Sequence, residues 1–541
     1  MTIPRSAVIL LLLLVVTAAT SSPLSWSEAK LKINELGYDD RKVIVEKMAA
    51  LGLAMWREDL PKGRMPNVTC AWHEICDSLG QCATVCGRGT LFVDEYIRFG
   101  HETQRLLDVD LPLNYQQVLS THNSLITLAD GYGVAEGFLD DLAKDIDKHW
   151  EVILPNQLFT ATDQFNLGVR MVEIDTHYFD GTMRICHAGG VHLEKLDEFI
   201  KFLSKLLHRP IDIDSETLGC FAKTERTLVS ALSEIQTWLS DPLHEDEFFI
   251  FMFDDQMDVE EWGKVPLILE AISSTFNAST IFTPVEKAKF FPDHDTMHPN
   301  WPSKRELRMM GKKVLFVSGA NYGSEMSDVI FYKYGTFPHN VANWTELDPS
   351  NLNEDCRSER LPFQLQTGFF SRVIAESLVY GPFYNPSIND GAIVPGNISK
   401  FFECGINWAS GDDMQPLLSA SAVWSWSPLS MSSPKDLRGN CTLLNVTDGH
   451  WWTAECDDPT LLYPAACVEP ESILHQHWML SEKVPYRKAG SACASKNALF
   501  QHPTNAYSNV QLLTTAKQEE AVWIQWELGK DQPLPSFTDA K

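Results

Sequence analysis

Residues 248–253, FFIFMF, are six apolar side chains in a row, and they run straight into Asp254 and Asp255. An unbroken run of that length suits a strand buried on both faces, the situation of a strand inside a parallel sheet covered by helices. Strand signals at 115–120, 169–178, 313–318 and 405–410 alternate with helix signals at 259–271 and 369–378. That alternation predicts a parallel βα barrel. Sites in such barrels lie at the carboxyl ends of the strands, so Asp254 and Asp255 are candidate ligands. The plainer reading is an Asp pair capping the next helix, and one Asp can cap while the other faces the site.

Residues 169–178, VRMVEIDTHY, read as another buried strand, yet Arg170, Glu173, Asp175 and His177 sit among its apolar residues. An unpartnered carboxylate in a packed interior costs several kcal/mol, so two within three residues require a cation, a metal or a solvent-filled mouth. Glu173 and Asp175 are two apart, so they share one face of the strand, about 7 Å from each other. Twelve residues past Asp175, His187 stands in Cys-His-Ala-Gly-Gly, where a strand runs into a glycine loop able to present an imidazole. His122 and Asn123 follow the strand signal at 115–120. A His-Asn pair alone is more often a turn or cap. Beside the acidic strand and His187 it reads as half of a site. His177 is left as packed or supporting.

In combination, His122-Asn123, the run Gly168-Val169-Arg170-Met171-Val172-Glu173-Ile174-Asp175 and Cys186-His187 resemble the X-domain signature of phosphatidylinositol-specific phospholipase C. More broadly they resemble the PLC-like phosphodiesterases. The resemblance covers about residues 111–430. It implies a distorted TIM (β/α)8 barrel with two histidines facing each other across its mouth. In the calcium-dependent members, metal ligands occupy positions matching Asn123, Glu173 and Asp175. A further acid ends a later strand, for which Asp254 is the best match and Asp255 the second. Metal-independent members place an Arg near the phosphate instead; this chain keeps the acids, which favours the metal-dependent form.

Cleaving a phosphodiester with an internal hydroxyl needs a base, an acid for the leaving alkoxide and positive charge at the phosphorane oxygens. Two histidines can divide the proton transfers near neutral pH. The expected assignment is His122 as general base, working with a carboxylate, and His187 as general acid. Asn123, Glu173, Asp175 and Asp254 would hold one hard divalent cation, Ca2+ with Mg2+ as the alternative. The expected substrate is a phosphatidylinositol-type lipid cleaved through a cyclic phosphate. The alternatives are a glycerophosphodiester or sphingomyelin-type substrate, or a non-catalytic glycan- or membrane-surface-binding protein. The strand signal at 313–318 leads to Ser318-Gly319-Ala320-Asn321 rather than to basic residues, which argues against a polyphosphorylated headgroup.

Residues 1–22 carry Arg5, an apolar run with five consecutive leucines and a small-residue end, the pattern of a secretory signal peptide; an uncleaved anchor is the alternative. Twelve cysteines and six Asn-x-Ser/Thr sequons, at Asn67, Asn277, Asn343, Asn397, Asn440 and Asn445, agree with a secreted or lumenal protein. Cys70, Cys76, Cys82 and Cys86 lack zinc-ribbon spacing and read as disulfides, with the pairing open. The net charge of −28 argues against a nucleic-acid partner. Four segments are expected: the signal peptide, a helical Cys-containing region at 23–110 with its clearest helix at 42–56, the barrel at 111–432, and a smaller module at 433–541. In that module, His450-Trp451-Trp452-Thr453-Ala454-Glu455-Cys456 and Pro464-Ala465-Ala466-Cys467 resemble the closing half of a C-type-lectin-like fold. Ala492-Cys493 and Val522-Trp523-Ile524 resemble its opening half, in swapped order. The plainer reading is a disulfide-stapled β-rich module packed on the barrel, with Trp424 and Trp426 alternating along a strand at the interface.

Overall fold

The computed structural model describes residues 22–24, 26–51, 55–56, 67–76, 82–132, 134, 155–179, 181–186, 193–211, 226–254, 259, 263–293, 299–319, 322–323, 326–332, 336–337, 339–343, 368–375, 379–380, 395–431, 437–470 and 477–533. Residues 1–21 of the expected signal peptide, His187 and Asp255 lie outside the described residues.

Eight strands build the central sheet: β1 (Val118–Thr121), β2 (Val169–Phe179), β3 (Phe249–Asp254), β4 (Val314–Ser318), β5 (Phe331–Tyr332), β6 (His339–Asn343), β7 (Phe370–Ala375) and β8 (Trp408–Gly411). All neighbours pair in parallel, in the order β6-β7-β8-β1-β2-β3-β4-β5. The last strand thus returns to the side of the first, which curls the sheet into a (β/α)8 barrel. Among the described residues β5 and β6 are not paired, and this is where the barrel departs from a regular one. A short strand, Thr182–Ile185, folds back antiparallel on the end of β2.

The alternation along each strand explains the two apolar layers. Phe249, Phe251 and Phe253 of β3 and Val314 and Phe316 of β4 point outward into the layer shared with the helices α1 (Leu228–Leu239) and α2 (Val265–Thr275). Ile250, Met252, Leu315 and Val317 point inward. At the amino end of the barrel, Phe370 stacks on Phe337 with ring centroids 4.2 Å apart and on Trp408 at 5.0 Å. Trp301 meets Phe370 edge-on at 5.1 Å. This aromatic plug closes one end, so polar groups inside the barrel can collect only toward the other.

The segment after the barrel forms two three-stranded sheets. Cys441–Asn445 pairs with Trp451–Ala454 and Ala521–Glu527, and Ala466–Val468 pairs with Trp478–Leu480 and Leu499–Phe500. Disulfides Cys441–Cys456 and Cys467–Cys493 staple it. It shares one apolar cluster with the barrel: Trp451 meets Trp424 and Trp426 edge-on, each at 5.7 Å, and the Trp426 indole donates to Thr103 at 2.8 Å.

Several local expectations need correction. Residues 370–375 are strand β7, not part of a helix: Phe370 and Val373 are buried in different layers and Arg372 points into the barrel, a two-sided burial that only a strand satisfies. The helix expected at 42–56 spans Tyr38–Leu51, and Met55–Trp56 instead pairs with Val379–Tyr380. The region at 23–110 carries helices Trp26–Asn34, Tyr38–Leu51 and Glu95–Leu107, but its cysteines sit in a β-hairpin, Trp72–Cys76 with Cys82–Cys86, clamped by Cys70–Cys86 and Cys76–Cys82. Within the helix expected at 259–271, Val259 is helical and α2 begins at Val265, with a turn at Gly263 between them. Residues 113–115 form a 3-10 turn before β1. Trp426 makes only an isolated bridge to Trp451, so Trp424 and Trp426 lie at the interface without a continuous strand.

Candidate active site

The strand ends opposite the aromatic plug carry His122, Asn123, Glu173, Asp175 and Asp254; the expected His187 lies outside the described residues. His122 and Asn123 follow β1, and Asn123 takes φ 43°, a left-handed conformation that Asn tolerates better than most residues. His122 Nδ1 lies 2.9 Å from Oδ1 of Asp412, the first residue after β8. A carboxylate there fixes the proton on Nδ1 and leaves Nε2 as the acceptor, the tautomer a general base requires. The His122 N–H also donates to the Gly411 carbonyl at 3.2 Å, so the β1–β8 seam sets the ring's position. Asp412 was not singled out from the sequence. The same strand-end argument applied to Asp254 finds it, because Gly411-Asp412-Asp413 follows the strand signal at 405–410.

One layer deeper, Arg372 spans Glu173. Its two terminal nitrogens donate to the two carboxylate oxygens at 2.8 and 2.7 Å, and its Nε donates to Ser410 at 2.6 Å. Ser410 meets Ser120 of β1 at 2.6 Å, closing a polar layer across β7, β8, β1 and β2. Burial opposes charge on Glu173, but Arg372 at bidentate distance outweighs it and holds the carboxyl down to about 2. Glu173 Oε2 is 4.0 Å from His122 Nε2 and also accepts from the Asn123 backbone N–H at 3.2 Å. Arg372 is 1% exposed and fell inside a segment read as helix, which is why the sequence did not reveal it as part of the site.

At the mouth, Asp175 of β2 stands in register with Asp254 of β3. Burial, with Asp254 and Glu173 close by, pushes the Asp175 carboxyl well above its usual value. Among the described residues, Asp175 Oδ2 and Asn123 Oδ1 are buried without a hydrogen-bond partner. Two orphaned oxygens beside a like-charged acid pair are what a hard divalent cation resolves, since Ca2+ and Mg2+ take carboxylate and amide oxygens. The four expected ligands therefore divide: Asn123, Asp175 and Asp254 suit a cation, whereas the Glu173 carboxylate is already ion-paired with Arg372. His177 is buried beside the mouth on the part of β2 that pairs with Arg184.

No protein-family model matches the chain. Uncharacterized proteins from two strains of Mycobacterium tuberculosis are 23% identical to it over 463 residues, covering 80% of this chain and 81% of theirs. Among solved structures it is similar to a calcium-dependent phosphoinositol-specific phospholipase C from the Gram-negative bacterium Pseudomonas sp., at 13% identity and a TM-score of 0.31, over 58% of this chain and 92% of that one. It is also similar to a double mutant of the phosphatidylinositol-specific phospholipase C from S. aureus, at 14% identity and a TM-score of 0.31, over 60% of this chain and 97% of that one.

Proposed function

We propose that this protein is a phosphoric diester hydrolase that cleaves a phosphatidylinositol-type lipid by attack of the headgroup's own hydroxyl, releasing a cyclic phosphate. The observation that carries the reading is the His122–Asp412 pair, set beside the Arg372–Glu173 layer and the Asp175/Asp254 acids at the carboxyl ends of one parallel barrel. His122 Nε2 takes the hydroxyl proton as the new P–O bond forms, and Asp412 stabilises the resulting imidazolium. The bond to the lipid oxygen breaks, and that oxygen is protonated by His187 in this reading. Arg372 keeps Glu173 ionised, so the developing positive charge on His122 finds an anion 4.0 Å away. Asn123, Asp175 and Asp254 would hold the divalent cation. When bound, such a cation lowers the pKa of the attacking hydroxyl and neutralises phosphate charge.

The compartment belongs to the same proposal. The four described disulfide pairs, and the absence of free cysteines among the described residues, suit an oxidising environment. Among the described residues no helix is long and apolar enough to cross a membrane. A secreted enzyme would meet its lipid at a membrane surface.

The test is hydrolysis of phosphatidylinositol vesicles with calcium and with chelator, by the unsubstituted protein and by His122→Ala and His187→Ala. Calcium-dependent release of cyclic inositol phosphate that both variants lose is the expected result. Release of choline or glycerol phosphate from other vesicles, with none from phosphatidylinositol, would replace the substrate assignment. Folded protein that turns over none of these lipids would overturn the enzymatic reading.

A further inference from the structure

The mouth of the barrel contains a buried amide that the mechanism above does not use. Asn156 is 1% exposed, and its backbone is held on both sides: its N–H donates to the Ile126 carbonyl at 3.0 Å, and its carbonyl accepts from the Asp413 N–H at 2.8 Å. Its side chain joins the two halves of the site. Asn156 Nδ2 donates to Asp412 Oδ1 at 3.0 Å, the same oxygen that takes His122 Nδ1, and Asn156 Oδ1 accepts from Asn123 Nδ2 at 3.3 Å. Gln157 beside it reinforces the seam, donating to the carbonyls of His122 and Gly411 at 2.7 and 3.0 Å.

An amide has one donating and one accepting end, so a chain of amides transmits orientation. The Asp412 carboxylate accepts only, which turns Asn156 Nδ2 toward it. The oxygen of Asn156 must then face Asn123 and accept from Nδ2 there. Asn123 is left with its carbonyl oxygen pointing away from the seam, and that oxygen is one of the two orphaned ones. The orientation of a cation ligand is thus dictated by the carboxylate that serves the base, through one intervening side chain.

We propose that Asn156 is a positioning residue that relays the polarity of Asp412 to Asn123 and so presents Asn123 Oδ1 to a hard divalent cation. The proposal rests on the reading of the site given above and adds a connection between its base and its cation ligands. Groups that orient metal ligands are typically worth 10- to 100-fold in affinity.

The experiment is a double-mutant cycle read by calorimetric titration of the full chain with calcium, independently of turnover. Asn156→Ala, and Asn156→Leu as an apolar variant of similar shape, should each weaken calcium binding about 10-fold or more. In an Asn123→Asp background both positions of the side chain are oxygens and need no orienting, so the same substitutions should cost about threefold or less. Thermal unfolding of each variant separates loss of fold from loss of positioning. Equal losses in both backgrounds, or no loss in either, would overturn the relay. Absence of any calcium signal from the unsubstituted protein would overturn it too, and lipid hydrolysis by the same preparation would then show whether the phosphodiesterase reading stands without it.

Discussion

Asp412 and Arg372 are the two side chains that change what the site can do. Asp412→Asn keeps the shape but replaces an acceptor-only group, so the His122 tautomer is no longer enforced; turnover should fall about 10²- to 10⁴-fold with little change in unfolding temperature. A drop smaller than tenfold in initial rate would remove Asp412 from the base. Arg372→Met leaves the Glu173 charge buried with no guanidinium, a loss of about 3–5 kcal/mol in urea unfolding. Because Arg372 holds the Glu173 carboxyl below its usual range, that contribution is present above the unfolded value near 4.3 and is lost as pH falls through about 2. The unsubstituted and variant proteins should therefore converge in stability at strongly acid pH and differ most near neutrality. His122, Asn123, Asp175 and Asp254 were legible as residues because polar groups in apolar strands are conspicuous. The Arg372 pairing was not, since a single Arg in an ambiguous segment carries no sign of its partner.

β2 and β3 are locked together below the site by another ion-paired carboxylate. Glu247, just before β3, takes two nitrogens of Arg170 on β2 at 2.8 and 2.6 Å, and Arg105 of helix Glu95–Leu107 lies 3.2 Å away. Burial opposes the Glu247 charge, but Arg105 and Arg170 outweigh it and keep the carboxyl well below its usual range. The stabilisation is complete above the unfolded value near 4.3 and declines as pH falls below it. Glu247→Gln should destabilise at pH 7 by about 3–5 kcal/mol and flatten the acid side of a urea-midpoint against pH profile. An unchanged profile would assign acid sensitivity elsewhere. Gly168, which turns the chain into β2 at φ 101°, would place a Cβ 2.8 Å from the His101 ring. Gly168→Ala is expected to cost at least about 1–3 kcal/mol by denaturant unfolding. Strand β3 was plain in the sequence because six apolar residues admit few alternatives. Strand β7 was misread because a short stretch with one charge fits either period.

Across the whole molecule, the barrel helices and the disulfide-stapled module share one continuous apolar cluster through Trp426 and Trp451. Trp451→Ala should cost about 3–5 kcal/mol, and it should lower the unfolding temperature of the barrel as well as of the module. Calorimetry should show one transition for both; two resolved transitions with only one shifted would mean that the module folds separately.

The parallel barrel and the polar residues gathered at its strand ends follow from the sequence alone, because burial periodicity and the cost of buried charge are local properties. Only the tertiary structure decided that Asp412, 290 residues from His122, is its partner, and that Glu173 faces Arg372 while Asp175 faces Asp254. Those pairings depend on which strands become neighbours when the sheet curls, and a hydrogen bond acts over about 3 Å whatever the distance along the chain.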